Sequence, residues 1–241
     1  MSGIGPARRR TWRDAEVVAE EGGFVVRLDG TKLRIADGAA VVLPTKALAE
    51  AIAGEFRTAG GAEGGTVAPD ALPFTRLAGT ALAIAADRAP MLRRLLGYGR
   101  TDLLCYRAER PEALAVRQHE AWQPWLDWAA RETGARLATA SGIVAVAQDQ
   151  AALETLSATL RADSPWALAG MSVIVPALGS LVLGLALRRS ALGPREAHAL
   201  ATLDEVWQEE VWGTDSEAET RRAANAEEIE SAARFVTLAA P

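Results

Sequence analysis

The sequence predicts an α+β fold: a small sheet-plus-helix region first, then a larger, mostly helical one. Three observations predict it. Short alternating strands with tight turns fill the first third, helical spacing of apolar residues fills the rest, and no stretch recurs at a solenoid period. Of 241 residues, 49% are apolar and 24% charged, enough for a sizeable core. A domain boundary is expected at Gly97-Tyr98-Gly99, giving domains 1–97 and 98–241.

The elements follow in order. Ala15–Ala19 is a short strand. Phe24–Leu28, then Asp29-Gly30, then Lys32–Ile35 is a hairpin with a primed turn. Asp37-Gly38 is a second turn and Val41–Leu43 a third strand. Pro44-Thr45 opens a helix that Thr45 caps, with Leu48, Ile52 and Phe56 as its apolar stripe. Residues 59–73 hold Gly60, Gly61, Gly64, Gly65, Pro69 and Pro73, a loop long enough to be either mobile or functional. Helices are expected over Thr75–Ala86 and Ala89–Gly97.

Beyond the boundary, Leu114–Thr133 is a helix with Trp122, Trp125 and Trp128, stopped by Gly134. Trp125 and Trp128 share a face, and Pro124 starts or kinks the helix. Ile143–Ala147 reads as one strand. Gln150–Arg161, Trp166–Val175, Ala177–Leu187, Pro194–Trp212 and Ser216–Thr237 read as helices. The last turns Ala223, Ile229, Ala233 and Val236 inward. Ser164–Leu187 carries no charge and is long enough to span a bilayer, but Pro176 splits it into pieces too short to span alone. Two buried helices are expected there, with no stable membrane insertion.

Composition excludes several function classes. A net charge of −5 and a pI near 5.3 argue against nucleic acid as a partner. The single cysteine, Cys105, cannot form an internal disulfide, which fits a reducing compartment. Arg8, Arg9, Arg10 and Arg13 have no apolar run behind them, so no secretory signal is expected. A bacterial cytoplasmic protein is expected, or a mitochondrial matrix one in a eukaryote. His119 and His198 lack a second histidine at helical spacing, so no zinc motif forms. The glycines at 60–65 lack the Gly-Lys-Ser/Thr ending of a phosphate loop, and Gly97-Tyr98-Gly99-Arg100 lacks the third glycine of a dinucleotide fingerprint. Both read as turns, and no cofactor or metal site is expected.

The segment Leu203–Gly213, LDEVWQEEVWG, breaks its own pattern. Leu203, Val206, Trp207 and Val211 share a helical face that also carries Glu210, while Trp212 falls among Glu205, Gln208 and Glu209. Broken local rules point to function. An acid on an apolar stripe needs a partner or a shifted pKa. Glu210 is therefore either one half of an ion pair, with Arg222 or an arginine from the helical core, or an acid that meets another protein. The pair Glu205/Glu209 with Glu210 also admits a divalent ion, so a small metal-dependent enzyme is the alternative reading.

Several stretches together resemble one family, the F-type ATP synthase assembly chaperones that bind the alpha subunit. They are FVVRLDGTKLR, VVLPTKALAEAIAGEF, Leu72–Ala78, Tyr98–Arg107, Gln118–Trp128, and LDEVWQEEVWG followed by acids and Arg221-Arg222. The resemblance runs from about Arg10 to Leu238. The chain departs from the family at Ile35-Ala36, Glu55-Phe56 and Trp207. The resemblance implies a small α+β domain, a larger helical domain arranged as an orthogonal bundle, and no enzymatic activity. It implies a chaperone, simplest as a monomer, that holds the unassembled alpha subunit until the beta subunit replaces it. Expected partner-binding residues are Glu205, Gln208, Glu210, Trp212 and Gly213, with Thr101, Asp102 and Tyr106 as a second set. Asp102 has a competing role as a helix cap.

Overall fold

A computed structural model describes residues 8–35, 38–142 and 145–240. The chain forms two compact units. The first takes Met1–Ala86, Pro165–Gly170 and Arg234–Pro241; the second takes Asp87–Ser164 and Met171–Ala233. The architecture is α+β, with strands concentrated near the start of the chain and helices following.

In the first unit, β1 (Arg8–Arg9) comes first, then a three-stranded antiparallel sheet of β2 (Ala15–Glu20), β3 (Gly23–Leu28) and β4 (Thr31–Lys32). The register pairs Val17 with Val26 and Ala15 with Leu28. Asp29 and Gly30 both have positive φ, as the primed hairpin turn requires. The expected strand Lys32–Ile35 is split: β5 (Arg34–Ile35) leaves the sheet and pairs with β6 (Ala39–Ala40). Of the expected strand Val41–Leu43, only Leu43 keeps a bridge, to Phe24. The second turn, Asp37-Gly38, lies partly outside the described residues.

Helix α1 (Lys46–Thr58) packs on β2 and β3. Thr45 caps it by accepting from Leu48 N–H at 3.1 Å, and Leu48, Ile52 and Phe56 are its buried stripe. Its C-terminal end is capped by Arg10, whose buried guanidinium donates to the carbonyls of Arg57, Ala59 and Gly61. The glycine-rich loop is ordered by the same arginine, since Arg10 N–H donates to Gly65 O and Gly64 N–H to Arg10 O. That segment contains β7 (Thr66–Val67), which pairs with β1, so it is a built turn. Gly65 cannot carry a side chain, because an added Cβ would lie 1.7 Å from Gly60 O. Helix α2 (Pro73–Ala86) begins on the carboxylate of Glu55, which accepts from Phe74 N–H at 2.5 Å and from Thr75 N–H at 2.9 Å.

In the second unit, α3 (Ala89–Arg100) runs through Gly97-Tyr98-Gly99 as helix. A 3-10 turn and β8 (Tyr106–Arg107) follow, then α4 (Glu112–Thr133), which continues through Pro124 and stops at Gly134 with φ 82°. The rings of Trp125 and Trp128 pair at 6.3 Å. β9 (Ala140–Ser141) pairs in parallel with β8, a contact the sequence did not signal. The expected strand Ile143–Ala147 lies partly outside the described residues, and 145–147 is not strand. Helix α5 (Gln150–Arg161) packs on α3 and α4.

The uncharged stretch forms α6 (Pro165–Leu178) and α7 (Leu181–Arg188). The break falls at Gly179-Ser180 and not at Pro176, which sits inside α6. Gly179 takes φ 62°, and Ser180 restarts the chain by accepting from Leu183 N–H. Residues 181–187 are all buried, so α7 is the centre of this unit. Among the described residues no helix is long and apolar enough to cross a membrane. The single helix expected over Pro194–Trp212 is two, α8 (Pro194–Ala201) and α9 (Leu203–Trp212), parted at Thr202. The last helix, α10 (Ser216–Ala239), buries Ile229 and Ala233 as expected, but Ala223 is exposed.

Candidate functional site

Helix α9 carries the misfit residues, and its neighbours explain them. Its first turn is anchored: Leu203 is buried, and Asp204 accepts from Gln118 Nε2 at 2.7 Å. Gln118 lies on α4, and its Oε1 accepts from Ala108 N–H at 2.6 Å, which ties the end of β8 to α9. Beside it, Trp122 is fully buried and donates to Leu200 O at 2.9 Å. The Arg107 guanidinium lies 5.1 Å from the Trp122 ring.

Towards its end the helix surfaces. Val206 and Trp207 are half-buried, but Val211 is 55% and Trp212 85% exposed. The expected apolar face therefore ends before Val211. Gln208, Glu205 and Glu210 are exposed as well. Gly213 closes the helix with φ 95° and ψ 159°, a conformation essentially restricted to glycine.

The acids are held by two arginines. Arg117 of α4 makes a two-pronged ion pair with Glu210, at 2.6 and 3.1 Å, and lies 5.7 Å from the Trp207 ring. The pair is solvent-facing, with Glu210 51% and Arg117 40% exposed. The Arg117 hydrogen bond holds the Glu210 carboxyl below its ordinary value. Arg222 of α10 grips Glu209 at 2.5 and 2.7 Å and lies 3.7 Å from Glu205. Glu210 is thus an ion-pair partner and still on the surface, and its partner is Arg117 while Arg222 serves Glu209. Sequence spacing missed Arg117 because it lies 93 residues away; an acid on an apolar stripe was the one available signal that some arginine had to be near.

The carboxylates of the alternative enzyme reading are paired with arginines. Each carboxylate that would hold a metal faces a guanidinium, and among the described residues no three acidic, histidine or cysteine side chains group as ligands.

The second set is not presented together. Thr101 is exposed at the end of α3, and Tyr106 is half-buried on β8. Asp102 has no exposed surface. It accepts from Ser180 Oγ at 2.7 Å, Val182 N–H at 3.0 Å and Leu104 N–H at 3.1 Å, fastening the start of α7. A partner needs surface to touch, so Asp102 moves from the contact set to the scaffold beneath it. Burial pushes its pKa up to about 6, against the three donors. Cys105 is fully buried, and burial raises its thiol to about 12, which removes it as a nucleophile.

Comparisons with known proteins agree over most of the chain. A family model described as ATP12 chaperone protein matches residues 9–130, half of the sequence. The protein atp12, mitochondrial, of Schizosaccharomyces pombe is 25% identical over 225 residues, spanning 88% of this chain and 76% of the relative. The crystal structure of Atp12 from Paracoccus denitrificans matches with TM-score 0.89 and 39% identity, over 96% of this chain and 98% of that one. A solved structure from Agrobacterium tumefaciens matches with TM-score 0.88 and 37% identity, over 96% of this chain and 86% of that one.

Proposed function

Because this chain belongs to the ATP12 chaperone family, and is an ATP synthase assembly chaperone and not an enzyme, we propose that it holds the unassembled alpha subunit until the beta subunit replaces it. It would act as a monomer where the enzyme is built, the cytoplasm of a bacterium or the mitochondrial matrix.

The observation that carries this reading is Trp212, 85% exposed at the end of an ordered helix and flanked by acids. With Val211 beside it, Trp212 leaves contiguous apolar surface in water, the kind of feature that marks an interaction site. A subunit awaiting assembly exposes apolar surface that its neighbours later cover. One tryptophan buries a large area at low entropic cost, and Val211 extends the patch. Glu205, Gln208 and the acids opening α10 would meet polar and basic groups at its rim. Gly213 turns the chain away so that the ring stands clear. Thr101 and Tyr106 remain a secondary contact set.

The test is capture of a separately expressed alpha subunit by the purified chain, with beta subunit as competitor. Beta subunit is expected to displace the chaperone. Trp212→Ala is expected to weaken capture by about 30-fold, as loss of an interface hot spot does. Equal capture by Trp212→Ala would remove this site from the reading, and capture unaffected by beta subunit would remove the exchange.

A further inference from the structure

We propose that Arg117 is a positioning residue for client capture: through Glu210 it holds the last turn of α9 to α4 and so fixes the direction in which Trp212 is presented. This rests on the reading that Trp212 touches the client.

The last turn of α9 has little burial to hold it. The buried anchor, Leu203, is at the other end, and residues 210–213 are all exposed. The terminal carbonyls of a helix lack intrahelical partners, so an unsupported end frays. Two side chains oppose fraying here, one from each flank. Arg117 takes both oxygens of Glu210, and Arg222 takes both oxygens of Glu209. Arg222 is the more buried clamp, with 15% of its side chain exposed. Arg117 is the outer one, and its partner Glu210 lies two residues before Trp212.

The guanidinium of Arg117 does two jobs that need its planar shape. Its fork meets the carboxylate edge-on while it lies against the Trp207 ring. A lysine supplies the charge without the fork. An exposed ion pair adds little to the stability of a whole fold. Its effect is local: an anchor already ordered before contact loses less freedom on binding. Arg117 takes one acceptor site on each Glu210 oxygen, and in this proposal the contribution of Glu210 runs through that arginine.

The experiment uses the full chain and purified alpha subunit, with Arg117→Glu, Glu210→Arg, the double exchange, and Arg117→Lys. Affinity, amide exchange over residues 208–213 and the global unfolding midpoint are measured together. Each single reversal is expected to weaken capture about tenfold and speed exchange in that segment, with the midpoint unchanged. The double exchange is expected to restore affinity to within about threefold, and Arg117→Lys to fall between. If the double variant regains protection but stays as weak as Glu210→Arg, Glu210 touches the client directly and the proposal is overturned. It is equally overturned if Arg117→Glu binds as the parent does, or if both reversals lower the global midpoint. Failure of the underlying reading looks different: Trp212→Ala alone would then bind normally, whatever the exchange does.

Discussion

Asp102 and Glu210 are both acids in family-like motifs, and the structure gives them opposite surroundings. Asp102 is fully buried under three donors, whereas Glu210 faces solvent across from one arginine. Their titration differs accordingly. Burial raises Asp102 from 3.8 to about 6, while its partner lowers Glu210. The folded state therefore holds the Asp102 proton more tightly than the unfolded chain does. Its contribution to stability is complete below about pH 4 and is lost as pH rises through 6. A change of this size corresponds to about 3 kcal/mol between the two protonation states. Urea unfolding at pH steps from 4 to 7 is expected to show this loss in the parent and its absence in Asp102→Asn. An unchanged difference between the two proteins across that range would show that Asp102 ionises normally in the fold.

At the scale of elements, the conspicuous motifs are joined by bonds that no local pattern announces. Helix α1, which carries Glu55, was legible from its spacing and its Thr45 cap, and α2 was legible from Thr75 onward, two residues after its start. The carboxylate of Glu55 as the cap of the second helix was not, because the bond crosses 19 residues of turn and loop. Glu55 also accepts from Thr75 Oγ1 at 2.6 Å, and burial raises its pKa despite these donors. Glu55→Ala leaves the first N–H groups of α2 without this acceptor and is expected to cost about 1–3 kcal/mol in urea unfolding, with Glu55→Gln costing less. A loss no larger than that of an exposed surface change would mean water replaces the carboxylate at no cost. The same physics explains what spacing missed at Thr202. No proline or glycine breaks the α8–α9 pattern. One tertiary bond falls there: Trp122 of α4 takes the Leu200 carbonyl, while Thr202 N–H and hydroxyl both stay on His198 O within the chain's own turn. Conversely, Pro176 signalled a break that the helix postponed to Gly179, where a left-handed residue was available. The candidate site was legible as an anomaly in LDEVWQEEVWG, but its supports, Arg117 and Gln118, come from a helix about 90 residues earlier and follow no local periodicity.

At the scale of the molecule, the proposed capture would draw on charge as well as apolar contact. The chain carries a net −5, and acids crowd the end of α9 and the start of α10. Glu209 and Glu210 are neutralised internally by Arg222 and Arg117, so they add little to the outer field. Glu217 and Glu219 lie exposed in the first turn of α10, and under the proposed function they would act at a distance while Trp212 acts on contact. The two contributions separate by salt. Screening shortens the reach of exposed charges to about 8 Å at physiological ionic strength and leaves apolar burial intact. Raising salt from low to well above physiological is therefore expected to slow association with the alpha subunit on the order of tenfold, while dissociation changes less than about threefold. Neutralising both residues, Glu217→Gln with Glu219→Gln, is expected to remove part of that salt dependence, whereas Trp212→Ala should act on dissociation and leave the salt slope in place. Stopped-flow or biosensor kinetics across a salt series resolves the two rates. Salt dependence carried by dissociation would instead mean that ion pairs are buried in the complex, and that the acids around Trp212 bind the client and do not merely steer it.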